Sequence, residues 1–365
     1  MPGIRLSSDK TVSEKPNERD KPELSGQSSF RAAIASGDYR LGSAAISELR
    51  QHAPPRYAVV IQLVVSGAVP NVPVLRSRCL ANPDSLLKIE QSVGQPFAPT
   101  DALSDRFSLV LHDLRMSGVW KRTNRGRLKR SEQVICAHAD QDRARGLTFL
   151  DIGASGGITT VEAVRTFREK FAGGVHAFLT DLNLWLLRYR RGPIVEYRAV
   201  NGEPIMARLG PLGIRLASQR RATAMDGNPL TRFYLSREGL RRSMQLDARI
   251  SLVHPIARNE PDITIMELDC LVYSEELRDR ITAVRASNVL NFGYFDAPQI
   301  CRALGYLHCY LQDGGCLVIS KANGQQSDES ENGTVWRKEG RRFRWLEDFG
   351  SGSEIRSVVD GWLHS

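Results

Sequence analysis

The sequence predicts an α/β fold built on a doubly wound, mostly parallel sheet, and three observations predict it. Residues 147–164, LTFLDIGASGGITTVEAV, run from an apolar segment through a glycine-rich turn into a helical pattern. Two further apolar runs, 175–180 and 263–268, also end in acids, Asp181 and Asp269. A helical block beginning at Asp296 then leads through Gly314-Gly315 into another apolar run, 316–319. Strand-length apolar runs alternating with helical patterns point to βα units, and runs with no polar alternation point to strands covered on both faces.

Each element has its own signal. Leu147, Phe149, Leu150 and Ile152 suit a buried parallel strand, and Gly153, Gly156 and Gly157 make the turn that follows. Thr159 with Glu162 three residues later predicts a capping box at the start of a helix. Free amides at such a start favour an anionic group. The second strand, 175–180, places Asp181 about 24 residues beyond the loop, near the offset at which a Rossmann acid meets ribose hydroxyls. The third strand leads to Asp269, and the fourth, 281–287, to Asn288-Val289-Leu290-Asn291-Phe292-Gly293-Tyr294-Phe295. Asp296 caps a helix with Pro298 in its first turn and Ile300, Leu304, Leu307 and Leu311 on one face, and Asp313-Gly314-Gly315 ends it. Residues 335–338 and 342–345 flank Glu339-Gly340-Arg341 as a terminal hairpin.

The residues 182–261 exceed what a crossover needs and read as an insertion. It opens in helical style at Leu182 to Leu187, passes a hairpin turn at Asn201-Gly202 and continues into an arginine-rich helical stretch. It either shapes an acceptor pocket or is a solvated decoration.

The glycine turn admits three chemistries. A dinucleotide fingerprint needs G-x-G-x-x-G, and the order Gly153-Ala154-Ser155-Gly156-Gly157 does not supply it. The same five residues spell G-x-S-x-G, the elbow of a serine hydrolase with Ser155 as nucleophile and His308 or His364 as candidate base. Against this, residues 1–146 lack the preceding βα units and an HGGG-like oxyanion loop. Third, Asp151-Ile152-Gly153-Ala154-Ser155-Gly156-Gly157 resembles the first motif of the class I, Rossmann-like S-adenosylmethionine-dependent methyltransferases, with Ser155 standing where the middle glycine is usual. The segment from Val284 through Ser320 is similar to the second half of a chemoreceptor-type carboxyl methyltransferase.

The resemblance runs from about Leu147 to Leu346, with one interruption, and carries definite implications. It implies a seven-stranded sheet with helices on both faces, a C-terminal antiparallel hairpin and S-adenosyl-L-methionine as cofactor. Asp151 would lie near the ammonium group, Gly153, Ser155 and Gly157 would cradle the methionine part, Asp181 would hold the ribose and Asp269 the adenine amine. Asn288 and Tyr294 would face the methyl acceptor. The N-P-P-Y signature of exocyclic amine methylases is missing, because Asn228-Pro229-Leu230 lacks the aromatic. A purely structural use of these residues stays open: Asp151 capping the turn, Asp181 capping a helix and Tyr294 in the core. So does a non-catalytic Rossmann-like module that binds a partner through basic faces.

Composition bounds the rest. A chain of 365 residues can bury a large core. Residues 1–55 read as a largely disordered tail, 56–146 as a helical accessory or cap region that includes an amphipathic helix at 100–117, and 147–365 as the methyltransferase-like domain. No basic segment precedes an apolar one as in a secretory signal, so a cytoplasmic protein is expected. The apolar run at 57–75 is broken by Gln62, Ser66, Gly67, Pro70, Asn71 and Pro73, and no transmembrane segment is expected. The six cysteines show no C-x-x-C pair, and neither they nor the histidines predict a metal site. A net charge of +9 and a pI near 9.4 make nucleic acid or an anionic surface candidate partners through Lys121 to Arg130, Arg188 to Arg191, Arg220-Arg221 and Arg341 to Arg344. No RNA-binding motif accompanies these clusters, so a small-molecule, lipid or protein acceptor is expected ahead of RNA.

Overall fold

In the computed structural model, the described residues are 82–91, 107–121 with gaps at 109, 112–113 and 117–118, 125–139, 146–209, 212–216, 234–322 and 331–363. The expected disordered tail, the apolar run 57–75, Arg220-Arg221 and Asn228-Pro229-Leu230 lie outside them. In chain order the elements are α1 (Asp84–Gln91), β1 (Arg115–Met116), β2 (Val119–Trp120), α2 (Lys129–His138), β3 (Leu147–Ile152), α3 (Ile158–Arg168) and β4 (Val175–Asp181). The insertion holds β5 (Trp185–Arg191), β6 (Ile194–Ala199), β7 (Pro204–Leu209), β8 (Leu212–Arg215), α4 (Glu238–Arg242), β9 (Gln245–Ser251) and α5 (Pro255–Arg258). The chain ends with β10 (Ile263–Glu267), β11 (Ile281–Ser287), α6 (Ala297–Tyr310), β12 (Leu311–Ala322), β13 (Glu331–Glu339), β14 (Arg342–Phe349) and α7 (Arg356–Asp360).

The central sheet has the order β10-β4-β3-β11-β12-β13-β14. The first five strands are parallel and the last two continue as antiparallel neighbours. Numbered along the chain, the parallel part reads 3-2-1-4-5, the doubly wound order whose direction of winding reverses between β3 and β11. Its strands place apolar residues on both faces because each feeds two cores. Leu147 and Phe149 of β3 join the core that α2 and α3 cover, whereas Leu150 and Ile152 join the core under α6 and α7. Cys316 and Val318 of β12 divide from Leu317 and Ile319 in the same way.

Helix α6 begins as its sequence predicts. The Asp296 carboxylate accepts from the Gln299 amide at 2.9 Å, and the Gln299 side chain accepts from the Asp296 amide at 3.0 Å. It ends earlier than Asp313-Gly314-Gly315, since the chain passes directly from Tyr310 into β12. Helix α3 corrects another expectation. Its N-cap is Gly157, with φ 78° and no side-chain cap, and Thr159 lies inside the helix. Glu162 accepts instead from the Gly126 amide, so no capping box forms.

The insertion is a five-stranded antiparallel sheet in the order β8-β7-β6-β5-β9. The stretch Leu182 to Leu187, expected as helix, leads into β5. A short apolar run has no decisive period, and the pairing of Leu186 with Ala199 on one side and Ile250 on the other decides it. The Asn201-Gly202 turn joins β6 to β7, with Gly202 at φ 83°. One face of this sheet, including Leu186, Tyr197, Met206 and Ile250, shares a core with Leu86, Ile89, Phe107, Leu111, Leu114 and Met116. The described residues of 82–121 therefore share an apolar core with the insertion and carry a strand pair, β1 with β2, beside helix α1, whereas α2 packs on the central sheet.

Candidate functional site

Ligands of open α/β sheets bind beyond the carboxyl ends of the strands where the winding reverses. Here that point lies between β3 and β11, with β4 and β10 next in line. The loop after β3 is tightly turned: Gly153, Ser155 and Gly157 all hold left-handed backbone, at φ 69°, 57° and 78°. A glycine is the unstrained choice at the middle of these positions, which explains why a serine there departs from the usual motif. The loop is tied to its surroundings by the Ala154 amide on the Thr180 carbonyl and by the His254 amide on the Gly156 carbonyl. Asn288, the first residue beyond β11, is also left-handed, at φ 61°.

Two polar atoms on the opposite sides of this point are buried without a hydrogen-bond partner: Ser155 Oγ and Asn288 Nδ2. Asn288 spends its other polar atom on the Ala322 amide, 3.0 Å away. Buried orphans of this kind are costly unless water or a polar ligand satisfies them.

The three strand-end acids have different settings. Asp151 is 2 % exposed and belongs to the sheet interior. Arg285, beside it in register on β11, donates to it twice at 3.0 and 2.6 Å, and Thr160 donates at 2.7 Å. Arg285 is itself wholly buried and lies over the Phe149 ring. Burial works against its charge, but Asp151, Glu132 and Glu331 together outweigh burial and raise its pKa. The expectation that Asp151 lies by a ligand's ammonium group thus meets a carboxylate already engaged within the sheet.

Asp181, at the end of β4, faces the loop. Its Oδ2 accepts from the Ser155 amide and its Oδ1 from the Asn183 amide, both at 2.9 Å. Oδ1 also receives the Lys121 ammonium, which donates in addition to the Asn183 carbonyl at 2.8 Å. Lys121 is 4 % exposed, and burial lowers its pKa against the opposing pull of Asp181 and Glu267. Asp269 stands two residues beyond β10, half-buried, accepting from the Leu271 amide at 2.9 Å. Next to it the Cys270 thiol is pushed up to about 12, by burial first and Asp269 second. Tyr294 is half-buried in the segment after β11.

The loop, the strand-end acid and the two orphaned atoms fit the S-adenosyl group that the resemblance implies. Two side chains stand against these groups: Lys121 on Asp181, and Val289, whose Cγ2 lies so close to Gly153 that a Cβ there would collide with it.

Lys121 and Arg285 are the residues that sequence reading missed. The first opens a basic run that looks solvated, yet Lys121 and Arg127 are buried while Lys129 and Arg130 are exposed. The second left one signal, a lone arginine inside an otherwise apolar strand. The hydrolase alternative gains a left-handed Ser155, but Ser155 Oγ has no partner, and His254, which reaches the loop through its amide, uses its ring Nδ1 to accept from the Ile256 amide. Burial first, then Arg125, lowers the His254 pKa to about 4. His308 hydrogen-bonds the Gly340 carbonyl in the far hairpin. Among the described residues no group of three or more His, Cys, Asp or Glu side chains is placed to hold a metal ion, and no helix is long and apolar enough to cross a membrane.

The strand order, the glycine turn where the winding reverses and the antiparallel closing strands define the Rossmann-like fold of the class I S-adenosylmethionine-dependent methyltransferases. No protein-family model matches the chain, and no curated protein matches it in sequence. Among solved structures it aligns with the CurJ carbon methyltransferase at 15% identity, covering 77% of this chain and 51% of that one, with a TM-score of 0.28. It aligns with the magnesium protoporphyrin IX methyltransferase of Synechocystis, solved with bound SAH, at 9% identity over 66% of this chain and 68% of that one, TM-score 0.26. An S-adenosylmethionine-dependent methyltransferase from Mesorhizobium loti aligns at 14% identity over 53% and 54%, TM-score 0.24. The alignments to CurJ and to the Mesorhizobium protein span about half the length of those chains. The strand order itself carries the fold.

Proposed function

We propose that the chain is an S-adenosylmethionine-dependent methyltransferase whose acceptor is a small molecule, lipid or protein rather than RNA. The observation that carries the reading is the pair of buried, unpartnered polar atoms, Ser155 Oγ and Asn288 Nδ2, on the two sides of the point where the sheet reverses. When bound, the cofactor supplies a methyl group already activated by positive sulfur, so the protein's task is chiefly orientation and exclusion of water. Gly153 and Gly157 keep the loop backbone close enough to cradle the methionine part, and Ser155 Oγ donates to it. Asp181 accepts from the ribose hydroxyls and Asp269 from the adenine amine. Asn288 and Tyr294 meet the acceptor, with Asn288 Nδ2 donating to an acceptor oxygen. Asp151, held by Arg285, acts as a positioning residue that fixes the start of the loop.

The preference against RNA has support in how the basic residues are spent. Arg188 pairs with Asp84 at 3.0 Å and Asp247 at 2.8 Å, and Arg190 pairs with Asp247 at 2.9 Å. Charges neutralised in this way offer little to a phosphate backbone. The test is isothermal titration with S-adenosylmethionine and S-adenosylhomocysteine, repeated on Asp181→Asn. Binding that the variant weakens about tenfold or more supports the reading, that being the worth of one charge-assisted hydrogen bond. Absence of binding by wild type and by Lys121→Met, which frees Asp181 of its ammonium partner, overturns it.

A further inference from the structure

Asp181 is the group on which the cofactor reading turns, and it is nearly saturated. A carboxylate has about four acceptor positions, and the Lys121 ammonium, the Asn183 amide and the Ser155 amide take three of them here. Two of these donors are backbone groups of its own loop and its neighbour, inseparable from the fold. Lys121 is different. It comes from the end of the β1–β2 pair, where its amide closes the turn on the Leu114 carbonyl at 3.0 Å. That pair is anchored through Leu114 and Met116 in the core shared with the insertion, not in either core of the central sheet. The side chain thus crosses from one packing unit to the other to reach its carboxylate.

A second acceptor waits beside the first. Glu267 ends β10 in register with Asp181 at the end of β4, and its charge acts on Lys121. Glu267 is exposed, whereas Asp181 is 7 % exposed. A lysine on a flexible four-carbon stem can exchange one for the other without returning its charge to bulk water unpaired.

We infer that Lys121 is a latch on the crevice, with its ammonium occupying the hydroxyl-binding carboxylate of Asp181 until an adenosyl ligand displaces it toward Glu267. The inference rests on the cofactor reading and adds a regulatory consequence. The ligand and the Lys121 ammonium compete for the same oxygen, so cofactor binding loosens the turn from Leu114 to Lys121. Anything that holds that turn on the insertion core keeps the crevice shut. Two-state coupling of this sort requires only that the ligand favour one arrangement over the other.

The experiment is calorimetric titration of the full chain with S-adenosylhomocysteine, comparing wild type, Lys121→Met and Glu267→Gln. Removing a competing charge-assisted bond makes Lys121→Met bind about tenfold to a hundredfold tighter than wild type. Glu267→Gln, which removes the alternative acceptor, binds more weakly than wild type. If wild type binds and Lys121→Met binds equally or less tightly, the latch is overturned while the cofactor reading stands. If neither wild type nor Lys121→Met binds, both fall. Should Lys121→Met fail to fold, hydrogen exchange of the wild-type chain decides the matter. Saturating S-adenosylhomocysteine speeds exchange of the amides in 114–121, and unchanged or slowed exchange there overturns the latch.

Discussion

Two acids end neighbouring strands of one sheet, and each is buried against a cation, yet the two pairs are built differently. Asp151 meets Arg285 from the adjacent strand, in register, through a two-pronged contact whose fork matches the carboxylate. Asp181 meets Lys121 from a peripheral strand pair, through a single nitrogen that also serves the Asn183 carbonyl. The first pair belongs to the scaffold: its partners stand on adjacent strands in register, and the β3–β11 pairing fixes both backbones. The second can be broken with the sheet intact, because Asp181 keeps the Ser155 and Asn183 amides. The comparison teaches that a strand-end acid cannot be assigned to a ligand from its position alone. A partner on the same sheet ties the acid to the scaffold, and a partner from outside it leaves the acid able to exchange that partner.

The largest expected effect tests the scaffold pair. Arg285→Ala leaves Asp151 charged and buried with Thr160 as its remaining side-chain donor, and should cost about 3–5 kcal/mol in chemical denaturation. A loss below about 1 kcal/mol would erase the distinction between the two pairs.

Next comes the third member of that cluster. Glu132 lies 3.6 Å from Arg285 Nη1, too far for a hydrogen bond, so burial prevails over Arg285 and raises its pKa to about 7. The folded protein keeps this proton to about pH 7, whereas an exposed glutamate releases it near 4.5. The stability it contributes is complete below the lower value and is lost as pH rises to the higher, roughly 3 kcal/mol in all. Glu132→Gln should flatten that fall between pH 5 and 7, as denaturation midpoints at a series of pH values would reveal. An unchanged pH slope would remove Glu132 from the cluster.

Lys121→Met should cost less than Arg285→Ala, about 1–2 kcal/mol, because the two backbone amides still satisfy Asp181. Equal losses in the two variants would make the Lys121 pair scaffold as well. Smallest is Ser155→Gly, which relieves a left-handed serine and an orphaned hydroxyl at the entropic cost of a glycine. Thermal melting should place it within about 1 kcal/mol of wild type, on the stabilising side.

How much of this was legible follows from the same physics. The strands of the central sheet announced themselves because burial on both faces calls for apolar residues on both, as in Phe149-Leu150 and Leu317-Val318-Ile319. The capping box of Asp296 and Gln299 depends on residues three apart and was readable at its first member, whereas Thr159 and Glu162 had the same spacing and a different fate, since Gly126 arrived from 36 residues away. The insertion was legible as an extra segment and as a turn at Asn201-Gly202, but not as a sheet. Its strands carry arginines such as Arg188 and Arg198 on half-buried faces, paired with Asp84, Asp247 and Glu196, and that composition hides the strand period. At the crevice, position along the chain located Asp181 and Asn288. Their partners come from 60 and 34 residues away, and no local pattern encodes them.

In the proposed reading Asp181, not Asp151, is the carboxylate that meets the ligand. A crystal structure of the full chain with S-adenosylhomocysteine tests it most directly. Ligand density is expected across the ends of β3 and β4, with hydroxyls on Asp181, Lys121 moved from it, and the Asp151–Arg285 pair unchanged. Ligand bound with Lys121 still seated on Asp181, or with Asp151 released from Arg285 to contact it, would contradict it.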